Sequence, residues 1–190
     1  MFPHELLILR HGQTEWNAVD RMQGRLNSPL TALGREQAAR QGALLAGLDL
    51  TGWAAFVSPQ GRAVQTAGIA LAGHVDMMRT DDRLCEIDVG DWNGKLRADV
   101  MAARPELFDG EEGLDWYDHA PGGEGYAGLE ARCAAFLSDL SGPSIIVAHG
   151  ITSRMLRCLA LNIAPEALST LPGGQGNIFH YSAGEVVELT

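Results

Sequence analysis

Residues Leu6-Leu7-Ile8-Leu9-Arg10-His11-Gly12-Gln13-Thr14-Glu15-Trp16-Asn17 decide how this chain folds. Four apolar residues, too few for a helix and bounded by charge, read as a buried strand. The apolar run stops at Arg10-His11-Gly12, so the strand delivers a cation, an imidazole and a permissive backbone to its carboxyl end. Open α/β sheets hold ligands at that edge. Gly12 permits a sharp turn and a close ligand approach, and Thr14 and Asn17 add short polar groups nearby. The stretch is suited to holding an anion against His11. One histidine after a strand is commonly a surface or capping residue, but the pattern recurs: Ser144-Ile145-Ile146-Val147-Ala148 is a second buried strand, and it ends in His149-Gly150.

A pass along the rest of the chain predicts alternating strands and helices. Residues 19–30 carry Gly24, Asn27 and Pro29 and read as a loop, after which Thr31 is an N-cap for a helix through about Leu48. Residues 54–58 form a short strand that stops at Pro59-Gln60-Gly61-Arg62, where Arg62 begins a helix. A helix N-terminus favours anions through its free amides, and a guanidinium there adds a bidentate fork for phosphate oxygens. Residues 75–79 read as a further short strand. Residues 105–125 are acidic and lack periodicity, which suggests a lid more than a packed element. Gly123, Gly125 and Gly128 match Gly-x-Gly-x-x-Gly, but no strand precedes them, so that match carries no dinucleotide site. Tyr126, Leu129, Cys133, Phe136, Leu137 and Leu140 recur at helical spacing and read as core. A helix then runs from the second His-Gly to about Leu161, and 178–182 with 185–189 read as a hairpin around Ala183-Gly184.

The chain resembles the histidine phosphatase superfamily, also called phosphoglycerate mutase-like, at Arg10-His11-Gly12-Gln13-Thr14-Glu15-Trp16-Asn17. The resemblance continues in order through Gln23-Gly24, Ser28-Pro29-Leu30-Thr31, residues 58–66, 84–94 and 121–124, and Ala148-His149-Gly150. It implies an α/β fold, a three-layer α/β/α arrangement with a mostly parallel central sheet, in one domain over 1–190 with a lid or specificity loop at about 105–125. It implies a phosphomonoester hydrolase that works through a phosphohistidine on a small phosphorylated metabolite, with no cofactor and no metal.

The residues that would carry such a reaction can be assigned roles. Phosphoryl transfer needs an in-line nucleophile, cations on the spreading equatorial charge and an acid for the leaving oxygen. His11 suits the first and Arg10, Arg62 and His149 the second; the resemblance implies Glu86 as the third, although spacing alone does not separate it from Asp88. The implied phosphate-binding set is Arg10, Asn17, Gln23, Gly24, Arg62, His149 and Gly150. Surrounding positive charge is expected to keep the His11 lone pair free, and Glu86 is expected to be partly buried or hydrogen-bonded as a neutral acid. Two departures stand out: the family commonly has Glu where this chain has Asn93, and Ser where it has Gly125.

Rival functions are limited by composition. A net charge of −10 and a single lysine, Lys95, make nucleic acid or an anionic membrane an unsuitable partner, and leave arginine as the phosphate ligand. Three separated cysteines, Cys85, Cys133 and Cys158, make neither a disulfide framework nor a zinc site, which fits the cytoplasm. Residues 90–95 are one residue short of a P-loop, and no cysteine has an arginine six residues on, as a cysteine phosphatase requires. Inside the family the rival is a mutase, which is generally longer; Gln23-Gly24 and Pro29-Leu30-Thr31 resemble the phosphatase-like members. A non-catalytic phospholigand-binding protein is the further alternative, and retention of both His11 and Glu86 argues against it.

Overall fold

A computed structural model describes residues 2–108 and 113–190. The elements run β1 (Leu6–Arg10), α1 (Glu15–Ala18), α2 (Ala32–Leu45), β2 (Ala54–Val57), α3 (Gly61–Ala70), β3 (Arg79–Thr80), α4 (Arg97–Ala103), α5 (Gly125–Ser138), β4 (Ser144–Ala148), α6 (Gly150–Leu161), β5 (Ile178–Ser182) and β6 (Glu185–Leu189). The six strands form one sheet in the order β3-β2-β4-β1-β5-β6. Pairings from β3 to β1 are parallel, and β5 and β6 add an antiparallel edge. The α/β/α layering expected from the sequence is the layering found.

Alternation along the strands builds two cores. Leu6, Ile8, Ile146 and Ala148 face one side of the sheet and pack with Leu129, Cys133 and Phe136 of α5 and Met155 and Leu156 of α6. Leu7, Leu9, Ile145 and Val147 face the other and meet Leu45 of α2 and Ala63, Ala67 and Ala70 of α3. Parallel strands covered on both faces read as unbroken apolar runs, which is why both His-Gly strands are legible. Each fully buried Leu or Ile contributes roughly 1.5–3 kcal/mol of transfer free energy.

Register is what builds the functional edge. Arg10 pairs with Ala148 and Val57 with Val147, so the three strand ends stop level with one another. The His11 amide continues onto the Ala148 carbonyl at 3.0 Å, and the Ser58 amide onto the Val147 carbonyl at 2.9 Å. His11, Ser58 and His149 therefore leave the sheet side by side. The start of α2 is drawn tightly against this edge, since a Cβ on Gly12 would lie 2.1 Å from the Gly34 carbonyl oxygen.

Several expectations need correction. The strand placed at 75–79 is only Arg79–Thr80, because Met77 and Met78 are exposed and nothing packs them into a ladder. Helix α2 stops at Leu45, short of Leu48, with Ala46 as its C-cap. The segment at 105–125 holds two 3-10 turns, Pro105–Leu107 and Asp115–His119, and Trp116 in the second is buried among Trp92, Phe108 and Tyr117. The acidic residues of the segment hid this apolar anchor. Residues 109–112 of the segment lie outside the described ones.

Candidate active site

His11 follows β1 with its ring buried, and its Nδ1 lies 2.8 Å from the Gly12 carbonyl oxygen. A carbonyl only accepts, so Nδ1 carries the proton and Nε2 the lone pair. Nε2 accepts from Arg62 Nε at 3.2 Å. The same Nε is 3.2 Å from His149 Nδ1, and the two imidazole centroids are 5.1 Å apart. Burial first, then the guanidinium of Arg62 and further neighbouring charge, Arg10 for His11 among it, hold both histidines well below their usual 6.5, so both rings are neutral near pH 7.

Arg62 is fully buried in the first turn of α3, not solvated. Its fork is not open as expected: Nη1 donates to the Leu26 carbonyl at 2.6 Å and Nη2 to the Gly24 carbonyl at 3.0 Å. Those bonds tie the 24–26 turn to the site and leave Nε as the edge aimed at the two rings. Burial draws this guanidinium down to about 10, against the opposing pull of Glu86, and it remains charged at neutral pH. Arg10 Nε is buried with no hydrogen-bond partner among the described residues. Gly150 lies against that side chain, where a Cβ would come 3.3 Å from Cζ, so its placement relative to an anion is indirect.

Glu86 and Asp88, inseparable by spacing, are separated by the fold. Glu86 Oε1 accepts from the Ile87 amide at 3.0 Å and the Thr152 amide at 3.1 Å, and Oε2 accepts from the Ile151 amide at 3.3 Å; the Thr152 hydroxyl donates its one hydrogen to the Cys85 carbonyl at 2.8 Å and sets its oxygen 3.1 Å from Oε1. The carboxyl thus sits on the N-terminus of α6 with three backbone amides donating to it, and the Thr152 oxygen beside it is an acceptor for a protonated carboxyl. Gln60 fixes its backbone, accepting from the Glu86 amide at 2.7 Å while its own amide donates to the Gly24 carbonyl at 2.9 Å. Asp88 instead accepts from the Gly90 amide and the Asn93 side chain and braces the 88–93 turn.

A cavity of about 190 Å³ opens over these groups. Of the residues expected there, Arg10, His11, Asn17, Gln23, Gly24, Arg62 and Glu86 line it. His149 is fully buried behind Arg62 and lines none of it. Thr14 is spent on a capping box with Asn17 at the start of α1 and faces no ligand. The sequence reading missed Asp20, Arg21, Arg97, Leu114, Trp116 and Tyr117 on the cavity wall. It also missed Gln175, which donates to the His11 carbonyl at 3.1 Å and to Asn17 Oδ1 at 3.3 Å.

Comparison with known proteins decides the family, because the model of the histidine phosphatase superfamily (branch 1) matches residues 6–186. This chain belongs to that superfamily. It is similar to glucosyl-3-phosphoglycerate phosphatase of Mycolicibacterium vanbaalenii, at 34% identity with 90% of this chain and 80% of the relative covered. Phosphoserine phosphatase 1 of Hydrogenobacter thermophilus is 31% identical over 84% of this chain and 77% of its own length. Among solved structures, Bacillus stearothermophilus YhfR superposes with a TM-score of 0.83 at 28% identity, covering 97% of this chain and 95% of that one. The chain is an enzyme of the phosphatase and phosphoglycerate mutase family.

The two departures from the histidine phosphatase pattern have local causes. Asn93 donates to Asp88 Oδ1 at 2.8 Å, where a glutamate would set two carboxylates together, and its own Oδ1 accepts from the Arg25 amide at 3.2 Å. Gly125 has φ +64°, and a Cβ there would lie 2.9 Å from Asp118 Oδ1, which already accepts from the Tyr126 amide at 2.6 Å. Serine is disfavoured by backbone and neighbour together. Glu124, next to it, joins Arg132 of α5 to the Asp88 amide and so holds the Glu86 loop against that helix.

Proposed function

We propose that this chain hydrolyses small phosphomonoesters through a phosphohistidine on His11. The observation that carries the reading is the convergence of His11 Nε2, Arg62 Nε and His149 Nδ1 within 3.2 Å contacts beside the cavity that Glu86 lines. The nucleophilic nitrogen already holds its lone pair, so attack on phosphorus needs no prior deprotonation. Arg10 and Arg62 take the charge that spreads over the equatorial oxygens, with His149 behind them and Asn17, Gln23 and Gly24 around the phosphate. Glu86, protonated in the substrate complex, supplies the proton to the leaving oxygen and is left as the carboxylate that serves in the second step. Oε1 has two amide donors and Oε2 one, at the longer distance of 3.3 Å, so Oε2 is the oxygen with capacity for that proton. Water then attacks the phosphohistidine with Glu86 as base. Gly150 serves by making room for Arg10, and Leu114, Trp116 and Tyr117 wall the cavity as the described part of the lid or specificity loop.

A mutase stays in competition because of one observation: Leu114, Trp116 and Tyr117 line the cavity, so the lid is less hydrophilic than its composition suggests. The relatives named for phosphatase activity favour water as acceptor, and a phosphorylated small metabolite as donor. Buried free thiols at Cys85, Cys133 and Cys158 fit a reducing cytoplasm, and among the described residues no helix is long and apolar enough to cross a membrane. The test is rapid quenching of the enzyme with a labelled phosphomonoester, followed by mapping of acid-labile label. Label on His11, absent from His11→Ala, with matching release of inorganic phosphate is the expected result. Efficient isomerisation of 3-phosphoglycerate with little phosphate release identifies a mutase, and absence of any labelled histidine overturns the mechanism.

A further inference from the structure

Ser58 is not used by the mechanism above, yet it is fully buried at the end of β2 with its hydroxyl 2.7 Å from His149 Nε2. Arg62 Nε bears one hydrogen, and it points between His11 Nε2 and His149 Nδ1. Both nitrogens must therefore offer lone pairs. In a neutral ring that puts the His149 proton on Nε2, and Ser58 Oγ accepts it. The same oxygen accepts from the Gln60 amide at 3.3 Å, so both of its lone pairs are directed by the fold.

This tautomer is the wrong one for an anion. Arg62 stands between this ring and the cavity, so a phosphoryl oxygen reaches His149 only by drawing the Arg62 Nε hydrogen off Nδ1, and it then faces a lone pair, which repels it. The ring becomes a donor there only by gaining a second proton, and the Nε2–H···Ser58 bond survives that change unaltered. We infer that Ser58 is a positioning residue that holds His149 in its Nε2–H form, so that binding of a tetrahedral dianion draws one solvent proton onto His149 Nδ1.

The charges around the ring agree with this coupling. Arg62 from α3, Arg10 from β1, Arg132 from α5 and the N-terminal amides of α6, which His149 caps, all oppose protonation of the empty site. His11 faces the ring from β1, and Cys85 lies beside Arg62. Glu86, held on the amides of Ile151 and Thr152, is the carboxyl that faces these groups. A bound dianion reverses the balance at His149, whereas His11 must stay unprotonated to attack. The inference rests on the anion site proposed above.

The experiment is calorimetric titration of the full chain with tungstate, a tetrahedral dianion throughout the neutral range, in buffers of different ionisation enthalpy. About one proton taken up per tungstate near pH 7 is expected for the native protein. Ser58→Ala is expected to lose at least half of that uptake, because its ring is free to present a neutral Nδ1–H, and Ser58→Thr, which keeps the hydroxyl, to retain it. Nitrogen NMR of the histidine rings locates the proton independently of any variant: His149 Nδ1 is expected to become protonated and His11 Nε2 to stay bare. No uptake, uptake at His11, or equal uptake in Ser58→Ala would overturn the inference. If Ser58→Ala fails to fold, the ring spectrum of the empty native protein decides: a His149 proton on Nε2 upholds the role of Ser58, and one on Nδ1 overturns it. Tungstate that does not bind, or binds without competing with phosphomonoester hydrolysis, overturns the anion site itself; binding without proton uptake overturns only the role given to Ser58.

Discussion

Replacing Glu86 with glutamine separates chemistry from structure at one position. Glutamine has the same shape, and its carbonyl oxygen can take the place of Oε1 and keep the hydrogen bonds from the Ile87 and Thr152 amides. Its amide then faces the Ile151 N–H, which Oε2 accepts at 3.3 Å, a donor against a donor. The loss of that one long contact is expected to cost about 1–3 kcal/mol of stability. The catalytic loss should be larger and should depend on the leaving group. General acid catalysis is worth roughly 10²–10⁴ in rate, or about 2.7–5.4 kcal/mol at 1.36 kcal/mol per decade. An alkyl phosphate, whose alkoxide leaves poorly without a proton, should lose all of it in kcat. A nitrophenyl phosphate, whose phenolate leaves unaided, should lose less than about tenfold. Removing a negative charge beside Arg10 and Arg62 should also tighten binding of inorganic phosphate. The assay is kcat on both substrates with a melting curve for each protein; equal losses on the two substrates at unchanged stability would remove Glu86 from the role of acid.

Two further outcomes follow from the geometry. Both His11 and His149 have folded values held below 6.5, so the unfolded chain binds more protons than the fold as pH drops under that value. Their contribution to stability is therefore complete above about pH 6.5 and lost as pH falls, with a slope of up to ~2.7 kcal/mol per pH unit for two groups, measurable as a falling denaturation midpoint. A midpoint indifferent to pH between 5 and 7, set by ~RT-scale changes only, would contradict the neutral rings. Gly125→Ser, which restores the residue common in the family, is expected to destabilise by about 1–2 kcal/mol, read as a lower Tm, because φ of +64° and Asp118 both oppose a side chain.

What was legible in the sequence was whatever attaches to a strand end. Leu6 to Leu9 and Ile145 to Ala148 are buried on alternating faces, and their pairing register carries Arg10, His11 and His149 to one edge without help from any loop. Arg62 was legible for the same reason, since α3 starts where β2 stops. Groups placed by irregular backbone were not. The choice between Glu86 and Asp88 depends on which carboxyl meets the amides of α6, a contact across more than sixty residues that no periodicity reports. The apolar wall of Leu114, Trp116 and Tyr117 was hidden in an acidic segment because two residues in a 3-10 turn and one at its N-cap make no pattern at period 2 or 3.6. Ser58 stands in the sequence only as the first residue of the 58–66 stretch. Its hydroxyl gains meaning because parallel register sets β2 and β4 level, so that a strand end and a helix cap, ninety-one positions apart, share one hydrogen bond. The nucleophile's surroundings are thus set by the same alignment of strands that buries the core, and a shift of β2 against β4 would break the Ser58–His149–Arg62 contacts and the packing of Val57 together.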